Sequence, residues 1–143
     1  MKKLATLIAM LAVLTAFTST AVAQEPVQYS VTVEGTVVKG SPSDHFLTFS
    51  GPVHVPDVVL PAGTYIFTML GSSVVQVLSA DRSQQLAMFF TTPIQRLEAT
   101  DDYEVRLVAT SDESPRRISK WFLPNQSLGF EFLYPTSDVP GAR

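Results

Sequence analysis

The chain predicts an all-β fold: a single antiparallel β-sandwich, or a closed barrel, of about eight to nine strands behind a signal peptide. Three observations carry that expectation. Apolar residues recur at every second position, no stretch beyond the leader keeps a helical stripe, and turn-forming clusters separate the runs at short intervals. Successive side chains of a strand point to opposite faces, so such alternation makes one buried face and one wet face.

The leader comes first. Lys2 and Lys3 form a basic head, residues 4–17 an apolar run, and Ala21-Val22-Ala23 put small residues where a signal peptidase cuts. Cleavage after Ala23 is expected, which leaves residues 24–135 as the β domain and 136–143 as a loose tail. The apolar run falls short of the roughly 20 residues that span a bilayer. The expected product is exported, periplasmic or secreted, with no stable membrane span after cleavage. Cysteine is absent, so neither a disulfide framework nor a lipid-modified cysteine at the cut is available. About 120 residues then suit one domain with an ordinary packed core. The 10 basic residues include Lys2 and Lys3, so eight remain against 13 acidic ones, a formal net charge of −5. They are scattered, whereas a nucleic-acid surface needs a concentrated basic face. Nucleic acid is not an expected partner.

The strands follow in order. Tyr29, Val31 and Val33 alternate with Ser30, Thr32 and Glu34. The first strand boundaries are the least marked. Leu60-Pro61-Ala62-Gly63-Thr64 resembles a wall-sorting signal, but its Gly and Thr are in the reverse order and it lies in mid-chain. Pro61 and Gly63 suit a turn instead, so this is a corner. Residues 64–70, 74–80, 103–109, 117–123 and 128–134 each read as a strand, with turns at Gly71-Ser72-Ser73, Asp81-Arg82-Ser83, 111–115 and 124–127. Residues 85–92, apolar on both faces, predict a central strand covered on both sides.

Three pieces resemble a family of small exported all-β bacterial proteins of unassigned function: residues 49–67, 74–101 and 120–135. Trp121-Phe122, Pro124, Gly129, Glu131-Phe132 and Tyr134-Pro135 are the most distinctive positions. The resemblance implies an exported β domain and brings no catalytic residue with it.

Chemistry was sought by residue combination. Asp44-His45 and His54 with Asp57 put carboxylates near both histidines, the raw material of a small hydrolase or a metal site. No short metal-ligand spacing and no Gly-x-Ser-x-Gly elbow accompanies them. Glu98, Asp101, Asp102 and Glu104 read as a solvated turn rather than paired catalytic carboxylates. Phosphate-gripping loops and dinucleotide fingerprints are missing, so no cofactor, no catalytic residue and no metal ligand is assigned. Convergence of Asp44, His45, His54 and Asp57 in one pocket would favour catalysis, and dispersal a non-catalytic module. A third reading is a barrel holding an apolar ligand in an internal cavity.

The expected contact patch is Trp121, Phe122, Arg116, Arg117 and Lys120. Trp121 and Phe122 are neighbours on one strand and face opposite ways, so one of them is expected to be exposed, ringed by the cations. Such a patch suits an envelope protein, a peptide or a carbohydrate.

Overall fold

A computed structural model describes residues 27–110 and 114–136. The expected leader, its cut after Ala23 and all but the first residue of the expected tail lie outside the described residues. Ten strands follow in order: β1 (Gln28–Val38), β2 (Ser41–Phe49), β3 (Val53–Val55), β4 (Val58–Leu60), β5 (Gly63–Leu70), β6 (Val74–Ser79), β7 (Gln85–Gln95), β8 (Tyr103–Val108), β9 (Arg116–Phe122) and β10 (Leu128–Phe132). No α-helix occurs among the described residues.

Eight of these strands close an antiparallel barrel in the order β1-β2-β5-β6-β7-β10-β9-β8, and β8 returns to β1. The short β3–β4 hairpin is attached where β3 runs parallel to the start of β9, opposite Arg116 and Arg117. The choice between sandwich and barrel is settled by two long strands. Residues 28–33 of β1 pair with β8, and 34–38 with β2. Likewise residues 85–90 of β7 pair with β6, and 91–95 with β10. Each long strand leaves one sheet and enters the other, which is how two crossing sheets share corners.

Alternation places the core as expected. Leu47 and Phe49 of β2, Phe67 of β5, Val75 and Val77 of β6, Tyr103, Val105 and Leu107 of β8, and Phe130 and Phe132 of β10 are buried together. A barrel of eight strands is just wide enough for side chains to fill its bore. Here aromatic rings do so: Phe67 lies 6.0 Å from Phe49 and 5.7 Å from Trp121, and Trp121 lies 5.8 Å from Phe130. The Leu60–Thr64 corner stands between β4 and β5, where the Tyr65 hydroxyl donates to the Pro61 carbonyl at 2.5 Å.

Two expectations fail, each for its own reason. Residues 85–92 are not covered on both sides: Phe89 and Thr91 are buried, while Phe90 is 67% exposed and Met88 stands out beside it. A barrel wall is one sheet thick, so its outer face meets solvent. On β1, Tyr29 (41% exposed) and Val31 (37%) share the inward parity of buried Val33, yet they reach past the closed part of the bore.

Candidate functional site

The four residues with catalytic potential are dispersed. Asp44 and His45 are consecutive on β2 and therefore point to opposite sides of the wall. Outside, Ser41 Oγ donates to Asp44 Oδ2 at 2.7 Å and Arg82 forms an ion pair with the same oxygen. Burial pushes the Asp44 carboxyl up. Hydrogen bonds from Ser41 and Arg82, with the Arg82 charge, outweigh burial and hold it below the usual carboxylate value. An anion so held is a surface clamp on the 80–83 turn.

Inside the bore, His45 Nδ1 lies 2.8 Å from the Tyr103 hydroxyl, and the imidazole meets the Trp121 ring edge-on at 5.4 Å. Burial pulls the His45 pKa down, against a smaller upward pull from Asp44. Burial also raises the Tyr103 pKa, so both groups are neutral at neutral pH. Gly35 makes this pair possible: a Cβ there would sit 2.5 Å from the Tyr103 ring. His54 is elsewhere, on the β3–β4 hairpin, with its ring 5.7 Å from that of Tyr134. Asp57 occupies the left-handed position of the β3–β4 turn, at φ 69°. Among the described residues, no group of three or more His, Cys, Asp or Glu side chains is placed to hold a metal ion.

The expected aromatic patch is corrected. Trp121 is 0% exposed and fills the bore, with its Nε1 lacking a hydrogen-bond partner among the described residues. Phe122 does face outward, but it is only 1% exposed. It lies across Gly129 of β10, with the guanidinium carbons of Arg96 and Arg106 at 5.0 and 5.1 Å from its ring centroid. Glu104 accepts from both arginines, from Arg96 Nη1 at 3.0 Å and Arg106 Nε at 3.2 Å. Arg96 also donates to the Leu123 and Gln126 carbonyls. Glu104 is therefore part of a structural latch over an aromatic ring, rather than a solvated turn carboxylate.

The three cations of the expected patch separate as well. Lys120 borders the shallow groove beside that latch. Arg117 lies over the Tyr134 ring at 4.5 Å, and Arg116 over the Tyr29 ring at 4.6 Å. Of the five expected residues, Arg116 alone borders the feature that sequence reasoning missed. This is a cleft of about 410 Å³ at one mouth of the barrel. Its floor is Val33, Phe49, Val105 and Leu107; one wall is Val31 and Thr32 of β1, and the other is the crossing segment 48–53. The cleft exists because β2 pairs with β1 only as far as Glu34–Thr48, after which Ser50-Gly51-Pro52 carry the chain across to β9. Tyr29 and Val31 alternate like any inward-facing residues, so no local signal marks it; the departure of β2 is non-local.

No family model matches the chain, and neither a curated protein nor a solved structure matches it significantly.

Proposed function

We propose that this protein is a non-catalytic binding module of the bacterial cell envelope, exported by its leader, that engages its ligand at the open mouth of the barrel. The cleft between β1, the 48–53 crossing and β8 is the observation that carries this reading. Small ligands settle in apolar concavities with few polar groups, and barrel mouths are a common place for them. Rings occupy the bore itself, so an apolar ligand has its room at the mouth. Separation of Asp44 and His45 by the barrel wall, with His54 and Asp57 on a different hairpin, favours binding over catalysis. Export rests on the Lys2-Lys3 head, the apolar run and Ala21-Val22-Ala23, together with the resemblance to small exported β proteins.

Photo-crosslinking in the native envelope tests the site. A photoreactive side chain in place of Val31 is expected to give a discrete adduct, and one in place of Phe90, on the outer wall, is expected to give none. Adducts from position 90 alone would move the binding face off the cleft. N-terminal sequencing of the exported protein should begin at Gln24; a start at Met1 would remove the cleavage.

A further inference from the structure

Half of β1 is a strand edge with no neighbour among the described residues. Among the described residues, the ladder of residues 28–33 runs to β8 alone, because β2 has left by then. In an antiparallel ladder, alternate residues turn both N–H and C=O toward the same neighbour. Every second residue between Gln28 and Val33 therefore offers its donor and acceptor to the side where β2 is missing. At about 3.3 Å per residue, that edge is about 20 Å long.

Natural sheets protect such edges with Lys, Pro, bulges or brevity. β4, another edge strand, is three residues long and lies between Pro56 and Pro61. Gln28-Tyr29-Ser30-Val31-Thr32-Val33 has no charge and no Pro, and Tyr29, Val31, Thr32 and Val33 are strong strand formers. Its ladder to β8 is regular over all six residues. The cleft runs beside this edge, with an apolar floor. Among the described residues lining it, Arg116 is the charged one and none is acidic.

We infer that the edge of β1 at residues 28–33 takes an extended peptide by strand addition, with alternate apolar side chains laid on Val33, Val105 and Leu107 and a carboxylate at Arg116. Main-chain bonds supply the grip and alternate side chains the selectivity, as in other sheet-edge readers. The charge argument also selects the occupant. A second copy pairing through its own β1 would lay the uncharged Gln28–Val33 along the edge, with Glu34 of the same strand only at the end of that ladder. An apolar anion lacking amides would leave the edge donors unused. The inference rests on the cleft being the binding site and names the ligand class it takes.

The test uses ¹⁵N-labelled protein and an acetylated hexapeptide, Thr-Val-Thr-Val-Thr-Asp, with a free C-terminus. Amide shifts are expected at residues 28–33 and at Arg116. The peptide is then N-methylated at odd or at even amides. Only the set facing β1 contributes bonds, so one form should bind like the parent and the other roughly tenfold or more weakly. Arg116→Gln should weaken the parent peptide several-fold without altering that N-methyl difference. Equal loss with both methylated sets would overturn strand addition. So would dodecanoate shifting the cleft residues while the peptide does not, an outcome that leaves the cleft as the binding site. Concentration-dependent dimerisation by sedimentation, with β1 amides broadened and the peptide excluded, would assign the edge to a second copy and sink the inference. Absence of shifts at residues 28–33 with either probe, alongside position-31 crosslinks in the envelope, would overturn the peptide class alone. Absence of both would overturn the site as well.

Discussion

β1 and β7 are the two strands that belong to both sheets, and each is 11 residues long. At the β7 corner the chain comes back to close what the crossover opens. The Leu133 N–H donates to the Phe90 carbonyl at 3.1 Å, and the Thr91 N–H donates to the Ser73 carbonyl at 2.7 Å. Phe89, on the inner face, meets Phe132 of β10 with ring centroids 4.6 Å apart. At the β1 corner nothing comparable returns among the described residues, since the segment after β2 goes to β9 and builds the β3–β4 hairpin. Tyr29 and Val31, which have the inner-face parity, are left half exposed. Crossing between sheets thus creates two open corners, and whether each closes depends on where the chain goes next. The corner left open is the one with a cleft.

The largest test of this contrast is truncation at matched inner-face positions. Phe89→Ala should cost about 3–5 kcal/mol in denaturant unfolding, because it removes a buried ring and leaves a cavity. Val31→Ala should cost less than about 1 kcal/mol, since its side chain is already partly wet. Equal costs would mean that the β1 corner is closed in solution.

Glycines sharpen the same contrast at smaller scale. Gly35 is on the closed half of β1, where a Cβ would strike both Tyr103 and Leu47. Gly35→Ala should cost about 1–3 kcal/mol through overpacking. Gly51 lies in the crossing segment that walls the cleft, and nothing lies within 4 Å of a Cβ there. Gly51→Ala should change stability by less than about 0.5 kcal/mol. Thermal or urea midpoints of both variants suffice.

Local alternation made most of this fold legible. The runs that became β5, β6, β8, β9 and β10 could be read directly, because side-chain parity within a strand is a local property. Which strands change sheets is not local. Residues 85–92 looked doubly covered because Phe89 and Phe90 are both apolar, and only pairing with β6 and then β10 shows that one of them faces water. Phe122 failed in the opposite direction. Its cover comes from Arg96 after β7, Arg106 on β8 and bare Gly129 on β10, and the sequence around Phe122 names none of them. Glu104 and Arg106, two apart on one strand, were a readable half of that latch. The cleft was not readable, because it is made by the absence of a neighbouring strand.

Acid provides a test confined to the closed side of the barrel. His45 pairs across from Val37 on the closed half of β1 and is held in the bore with Tyr103 and Trp121. Burial lowers its pKa below the ordinary 6.5, so just below that pH the unfolded chain binds a proton that the folded chain refuses. Stability should therefore fall as pH drops through this range, by at most about 1.4 kcal/mol per pH unit. His45→Gln should flatten that slope. Asp44 acts in a different window: its pKa is below the usual 3.8, so its contribution stays intact above that value and is lost only in stronger acid. Tyr29 and Val31 variants at the open corner should leave the His45 slope unchanged. A slope that moved with them would mean the two halves of β1 are coupled.

The smallest expected effect is at the rim of the open corner. Arg116 lies over Tyr29 with both partly in solvent, where a cation–π contact contributes about 0.5–1 kcal/mol. Arg116→Gln should lower the unfolding midpoint by no more than that, and Tyr29→Ala should remove the same increment without adding to it, since the two share one contact. Arg96 supplies the contrast: its guanidinium is nearly buried against Glu104 and two carbonyls, so Arg96→Gln strands those partners and should cost about 2–4 kcal/mol. Both arginines lie over aromatic rings, yet only Arg96 fastens separate parts of the wall together. Arg116 can therefore be altered at almost no cost in stability, and a change in ligand affinity caused by Arg116→Gln reports on the cleft rather than on folding.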